Sequence, residues 1–330
     1  MRLHLQALYP AEDGAHMLGW LRQAFGAAGL ADSLTDSPDR ADAILLFAGH
    51  AGPDALRFAA LLHPLRRRFP AKTLLYHDGD FALPILPGLY PSLLRRHHRP
   101  GWAEGAPYFA RQAVNEAVSK AAGLEPARRW LASFVGANNA PVRTAILGWQ
   151  DARVYVKDTT GRHAWLMPPE ERAKYEADYA AVCAESRFIL APRGIGPSTY
   201  RQYEAWEIGR PPVILSDDWV PPPELPWEEA ALRLPESSAS DPSSLLDGLE
   251  KVDDRSMGRA GREIHESFLE PAPAARYLFR RLEALRNAAP RPLSTAGAVR
   301  LILASPHRRV FAISLKRMIL TRYSWRRAWS

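Results

Sequence analysis

Cysteine is almost missing from this chain: Cys183 is the only one in 330 residues. An internal disulfide is therefore impossible, and the composition fits a reducing compartment. Long apolar runs are missing as well. No stretch approaches the ~20 apolar residues needed to cross a bilayer. The amino end, Met1 to Leu8, alternates polar and apolar residues like a strand and carries no apolar signal core. The expected location is the cytoplasm. Repeats, low-complexity arrays and Cys/His clusters of zinc spacing are absent too. His97 and His98 are adjacent, a poor geometry for chelating one ion, and the acids of Asp217-Asp218 and Asp253-Asp254 diverge in extended backbone. No metal and no cofactor are expected.

Acidic side chains are missing from the carboxyl-terminal stretch. Ala284 to Ser330 holds ten Lys or Arg and no Asp or Glu, so the residues before it carry 33 basic against 36 acidic side chains. The formal charge of +7 thus belongs to the tail. A nucleic-acid partner wants basic residues across a folded face and is not expected. Within the tail, residues 308–329 read as an amphipathic basic helix, with Phe311, Ile319 and Trp325 among Arg309, Lys316 and Arg326. Such a helix suits an anionic membrane surface, here the inner face of the cell membrane, or packs back across the amino-terminal domain. Both readings stand.

What is present is ordinary globular material, 47% apolar and 24% charged, at a length natural for two domains. Strand-like runs at residues 2–8, 41–48 and 73–76 alternate with helix-like stretches at 14–30 and 54–69, the pattern of an open parallel sheet. A second series follows, with strands at 131–136, 152–156, 188–190 and 212–215 and helices at 116–125, 170–184, 245–252, 254–268 and 274–288. The expected division is an α/β domain over residues 1–125, a second over 126–290, and a tail helix within 291–330. Pro84 to Pro91 reads as a loop, and Arg95-Arg-His-His-Arg99 as a basic patch, either solvated or facing an acidic acceptor.

One stretch organises the second series. Phe188-Ile-Leu is a short buried strand, Pro192, Gly194, Gly196 and Pro197 break regular structure, and Ser198 or Thr199 can cap the helix that follows. Gly209 stands where helices end in a left-handed residue, and Pro212-Val-Ile-Leu is the next strand. A glycine loop ahead of a helix start suits an anion, because backbone N–H groups and the helix dipole converge there. Arg193 adds a cation that grips phosphate with two hydrogen bonds. Glu204, farther along the helix, suits the hydroxyls of a ribose. The plainer alternative is a βαβ crossover with Arg193 paired to Glu204. Arg143, near another helix start, is either a second phosphate contact or a solvated side chain. His50, His77, Asp78 and Asp80 lie at the carboxyl ends of the first strands, where ligands of such sheets collect; each is a candidate base or a turn cap.

These residues resemble the exostosin-like glycosyltransferases, glycosyltransferase family 47. The pattern includes Pro192-Arg193-Gly194, Arg201, Glu204-Ala205, Gly209 and Pro212-Val-Ile214. It continues through Pro226-Trp-Glu-Glu-Ala-Ala-Leu-Arg-Leu-Pro-Glu236 and, upstream, through Trp130 to Gly136 with Val142-Arg143. Thr199 replaces the family's serine, and Arg210 one of its cysteines. The resemblance implies the GT-B fold, two doubly wound Rossmann-like domains facing across a cleft. It also implies transfer of a sugar, with inversion, from a nucleotide sugar (a UDP-sugar) to a hydroxyl of a glycan or glycolipid. Arg193, Gly194, Ser198, Thr199, Arg201, Glu204 and Arg143 would then hold the donor, with the base among His50, His77, Asp78 and Asp80. Alternatives are a nucleotide-sugar-binding module without catalysis, or a membrane-associated scaffold.

Overall fold

The computed structural model describes residues 1–8, 11–48, 60, 63–80, 82–109, 115–289 and 291–305. In chain order the first elements are β1 (Leu3–Ala7), α1 (Ala11–Ala27), β2 (Ala43–Ala48), α2 (Pro64–Arg68), β3 (Thr73–His77), β4 (Gly88–Tyr90) and β5 (Ala103–Gly105). Then come α3 (Glu116–Ala121), β6 (Trp130–Gly136), α4 (Pro141–Leu147), β7 (Val154–Asp158), α5 (Pro169–Ala184), β8 (Ser186–Pro192) and α6 (Arg201–Ile208). The chain continues with β9 (Pro212–Leu215), α7 (Trp227–Ala230), β10 (Leu232–Leu234), α8 (Pro242–Glu250), α9 (Asp254–Ile264), α10 (Pro271–Asn287) and α11 (Thr295–Leu303). These elements form two Rossmann-like α/β units, each with one five-stranded parallel sheet, the pair of parts a GT-B protein needs. The expected tail helix at 308–329, His50, and half of the expected helix at 54–69 lie outside the described residues.

The first unit takes Met1–Gln112, Val220–Pro223 and the chain from Leu269 onward. Its sheet keeps strict sequence order, β1-β2-β3-β4-β5. The expected boundaries at 125 and 290 differ from this division for a packing reason. Helix α10 lays Leu278, Leu282 and Leu285 into this unit, and Phe279 meets Phe25 of α1 edge to face, with ring centroids 6.1 Å apart. Helix α3 instead covers the second unit, where Val118 and Ala121 pack with Cys183 and Ile208. Strand β4 falls inside the stretch expected to be a loop. It forms there because Gly88 pairs with Leu75, and any Cβ at residue 88 would lie 1.9 Å from the Leu75 carbonyl oxygen. Helix α11, within the stretch expected to hold the tail helix but ahead of residues 308–329, places Ala298 and Ile302 in the same core as Leu86 and Tyr90.

The second unit takes Ala113–Trp219 and Glu224–Phe268, and its strand order is β10-β9-β8-β6-β7. Alternate residues of β8 face opposite layers, as a two-residue repeat requires. Phe188 and Leu190 join α4 and α8, whereas Ile189 joins α3, α5 and α6. The order reverses between β6 and β8, so the two loops leaving these neighbours diverge to opposite faces. That crevice is where ligands of such sheets bind.

Helix α6, which begins just behind the crevice, is fixed by aromatic packing. Trp206 is fully buried, stacks on Trp227 with centroids 4.3 Å apart, and donates from its indole nitrogen to the Ala230 carbonyl at 2.9 Å. Helix α9 closes over it through two glycines: a Cβ at Gly261 would lie 2.5 Å from the Trp206 ring, and one at Gly258 only 2.3 Å from the Gly209 carbonyl oxygen. Gly258→Ala is expected to cost about 1–3 kcal/mol through overpacking. Exposed Gly248, with nothing within 4 Å of its would-be Cβ, is expected to gain up to ~1 kcal/mol as Ala. Urea unfolding measures both, and equal midpoints for the two variants would contradict the close helix contact.

Candidate functional site

At the crevice the loops after β6 and β8 touch. Gly194 has no room for a side chain, since its Cβ would lie 2.9 Å from Arg143 Nη2 and 3.3 Å from Asn139 Oδ1. Arg143 is buried and donates from Nε to the Arg193 carbonyl at 2.9 Å, from Nη1 to Ala137 at 3.1 Å and from Nη2 to Pro192 at 3.3 Å. It is neither a solvated side chain nor free for phosphate; it ties one loop to the other. Arg201 does similar work from α6, donating from Nη2 to the Val135 carbonyl at 2.5 Å. The Phe134 ring lies 5.6 Å from the Arg143 guanidinium and 4.9 Å from that of Arg201.

Arg193 at this edge is partly open, with 29% of its side chain exposed, and Arg201 is half-buried. Its Nε donates to Glu236 Oε1 at 2.7 Å and its Nη1 to the Gly194 carbonyl at 3.2 Å. Glu236 is itself anchored: the Asp217 amide donates to it, and its own amide donates to Asp217 Oδ1 at 3.0 Å. The partner of Arg193 is thus the acid at the end of β10 rather than Glu204. Glu204 accepts the Tyr179 hydroxyl at 2.8 Å on the α5 side of the unit. Burial first, and then Glu204, push the Cys183 thiol up to about 12, which keeps it a neutral packing group.

The expected cap of α6 takes a different form. The helix begins at Arg201 with Tyr200 as its cap residue, and no side chain caps it. Ser198 is buried and accepts from Gln202 Nε2 at 3.2 Å, while Thr199 Oγ1 accepts the Arg201 amide at a long 3.4 Å. Beside the loop, an open depression of about 700 Å³ is lined by Asn138, Asn139, Ala140, Pro141, Thr144 and Ala145. Thr144 donates to Asn138 Oδ1 at 2.7 Å, and both asparagines are exposed at the rim. Among the expected site residues, Arg143, Arg193, Gly194, Ser198, Thr199 and Arg201 therefore gather at one edge, and Glu204 turns away to Tyr179. Glu236 and Asp217 were not expected as site residues. Their only sequence signals were the acid ending the Trp-containing strand and the polar exit of β9.

In the first unit, His77, Asp78 and Asp80 stand together at the carboxyl end of β3. His77 and Asp78 are buried and Asp80 is half-buried. His77 Nδ1 accepts the Gly79 amide at 3.2 Å. Burial, with Asp80 adding its charge, pushes the Asp78 carboxyl up to about 8, and its Oδ1 has no hydrogen-bond partner among the described residues. The expectation of no metal also counted no Asp-x-Asp pair in the sequence, which is incorrect: Asp78-Gly79-Asp80 is such a spacing. Among the described residues no third His, Cys, Asp or Glu joins the pair in a metal-holding group.

A neutral buried acid gives a sign to the pH dependence of stability. Between about pH 4 and 8 the unfolded chain releases the Asp78 proton and the folded chain keeps it, so this residue lowers stability as pH rises through that window. Asp78→Asn is expected to flatten that slope and to raise stability at pH 7 by about 1 kcal/mol or more. Urea unfolding across the window checks it, and an unchanged slope would mean the acid is ionised.

Known proteins resemble this chain over part of its length. Residues 96–249 match the Exostosin GT47 domain model, a span that contains the whole β6–β8 crevice, Arg193 and Glu236. "Exostosin-1 homolog" of Caenorhabditis elegans is 24% identical over 185 residues, 52% of this chain and 48% of that protein. "Exostosin-1" of Drosophila melanogaster is 30% identical over 120 residues, 32% of this chain and 16% of that one. The chain thus spans at most about half the length of these relatives. A solved glycosyltransferase from Rickettsia africae ESF-5 superposes with a TM-score of 0.42 at 10% identity, over 87% of this chain and 97% of that one. Over residues 96–249, just under half of its length, the chain is thus similar to the Exostosin GT47 domain.

Proposed function

We propose that the chain is a glycosyltransferase that moves a sugar, with inversion and without a metal, from a UDP-sugar to a hydroxyl of a glycan or glycolipid in the cytoplasm. The observation that carries this reading is the β6–β8 crevice with a partly exposed Arg193 at its rim. In this reading the donor diphosphate lies against the 193–199 loop and the start of α6. Arg193 exchanges its contact with Glu236 for the phosphate oxygens. The cationic fork and the helix start would stabilise the charge that develops as the sugar–phosphate bond breaks. Asn138 and Asn139 suit the hydroxyls of the donor, because amides both donate and accept.

The acceptor oxygen would attack the anomeric carbon from the side opposite the diphosphate, and its proton would pass to a carboxylate. Asp80 is the best supported base, since it is the more exposed acid at the end of β3 and Asp78 is held neutral behind it. The UDP moiety and the inverting course rest on the family resemblance. The glycan class of the acceptor rests on the same ground, and the membrane contact of residues 308–329 belongs to this proposal as well.

Thermal unfolding with UDP tests the donor half. A ligand at 100 times its Kd stabilises the fold by about 2.7 kcal/mol. UDP is expected to raise the melting midpoint of the parent and to bind at least ~10-fold more weakly to Arg193→Ala, the loss expected for a charge-assisted contact. Asp80→Asn should keep UDP binding and lose turnover by about 100-fold or more. The donor assignment fails if UDP shifts nothing, or shifts Arg193→Ala as much as the parent. The choice of base fails if Asp80→Asn keeps its turnover.

A further inference from the structure

A second concavity lies at the opposite end of the same unit, where β6 begins and α6 ends. It has a volume of about 610 Å³, and its wall includes four guanidinium groups, those of Arg128, Arg255, Arg259 and Arg262. Glu125 is the one acid in the lining, and Ile208, Gly209 and Gly258 form an apolar base.

The counter-charges are already engaged. Asp254 bridges Arg128 and Arg187, Glu125 pairs with Arg128 and Arg210, and Glu266 pairs with Arg262. The negative end of α6 is met as well, because Arg262 donates to the Glu207 carbonyl at 2.5 Å and Arg210 to the Gly209 carbonyl at 3.2 Å. Arg255 and Arg259 are exposed, and neither has a hydrogen bond or ion pair among the described residues. They stand four apart on α9, one turn over the other. Like charges at that spacing destabilise a helix by a few tenths of a kcal/mol. Arg128 Nε adds a buried donor with no partner among the described residues.

Stacked guanidinium forks that lack acids and line one concavity are suited to oxyanions, each fork taking two oxygens of a phosphate. The volume exceeds what one phosphate fills and suits a diphosphate or a phosphorylated sugar. We propose that this pocket is a second anion site, distinct from the Arg193 edge, for a phosphate ester or diphosphate. The ester is either soluble or the headgroup of a lipid. Nothing in the donor chemistry proposed above requires it, so it stands on its own observations.

Calorimetric titration of the full chain with inorganic diphosphate tests the proposal, with parent and variant both carrying Arg193→Ala so that the donor edge does not contribute. The parent should bind in the micromolar to millimolar range. The double variant R255A/R259A should bind at least ten-fold more weakly, with a melting midpoint no lower than the parent's, because both side chains are exposed and their mutual repulsion is removed. Arg193→Ala should keep diphosphate binding at the second pocket even where it loses UDP, which separates a failure here from a failure of the donor assignment. Sedimentation with phosphatidylglycerol vesicles identifies the source. Parent pelleting that diphosphate releases and the double variant lacks would indicate a headgroup; equal pelleting of parent and variant beside weakened diphosphate binding would indicate a soluble ester. Diphosphate binding that is undiminished in R255A/R259A, or undetectable in the parent at millimolar concentration, overturns the proposal.

Discussion

The second unit depends on one buried guanidinium. Arg143 joins two loops that have no backbone pairing of their own, by donating to carbonyls on both sides of the point where the strand order reverses. A buried cation is costly unless it is fully engaged, and here three carbonyl dipoles and the Phe134 ring engage it. Hydrogen bonds to charged groups contribute about 1.5–3 kcal/mol each, so the crevice is held by several such bonds rather than by a strand pair. The consequence for Arg193 is position: its own carbonyl is one of the three acceptors, so its side chain is directed from a fixed backbone toward Glu236.

Much of this was legible in the sequence, and the reasons are local. Phe188-Ile-Leu, the glycines after it and Pro212-Val-Ile-Leu announce strand, loop and strand, and Gly209 takes the left-handed conformation expected of a helix end, with φ 78°. What was not legible is set by partners distant in the chain. Whether Arg193 faces Glu204 or Glu236 depends on which side of the sheet α6 lies, and no spacing reports that. The same holds for Arg143, whose burial comes from a loop 50 residues away. Strand β4 escaped notice because prolines around Gly88 suggest a loop, and only Leu75 explains the glycine.

Charge is handled differently at the two edges of the second sheet. At the carboxyl edge Arg143, Arg193 and Arg201 each have a defined acceptor, and Arg193 keeps an exposed face beside its acid. At the amino edge the acids are shared among several arginines, and the two on α9 are left over. An arginine-rich α/β unit can therefore be acidic in sum, here 18 basic against 24 acidic side chains, and still present separate cationic openings, because pairing is decided by geometry rather than by composition.

The way the first unit is assembled has a consequence for biosynthesis. The second unit is complete once Phe268 has left the ribosome, whereas the first lacks the helix that covers α1 until residues 271–287 have been made. Its Phe25 face stays uncovered while the downstream unit is already able to close. The order of synthesis and the order in which the two units become complete are thereby inverted, and the half begun first is the half completed last.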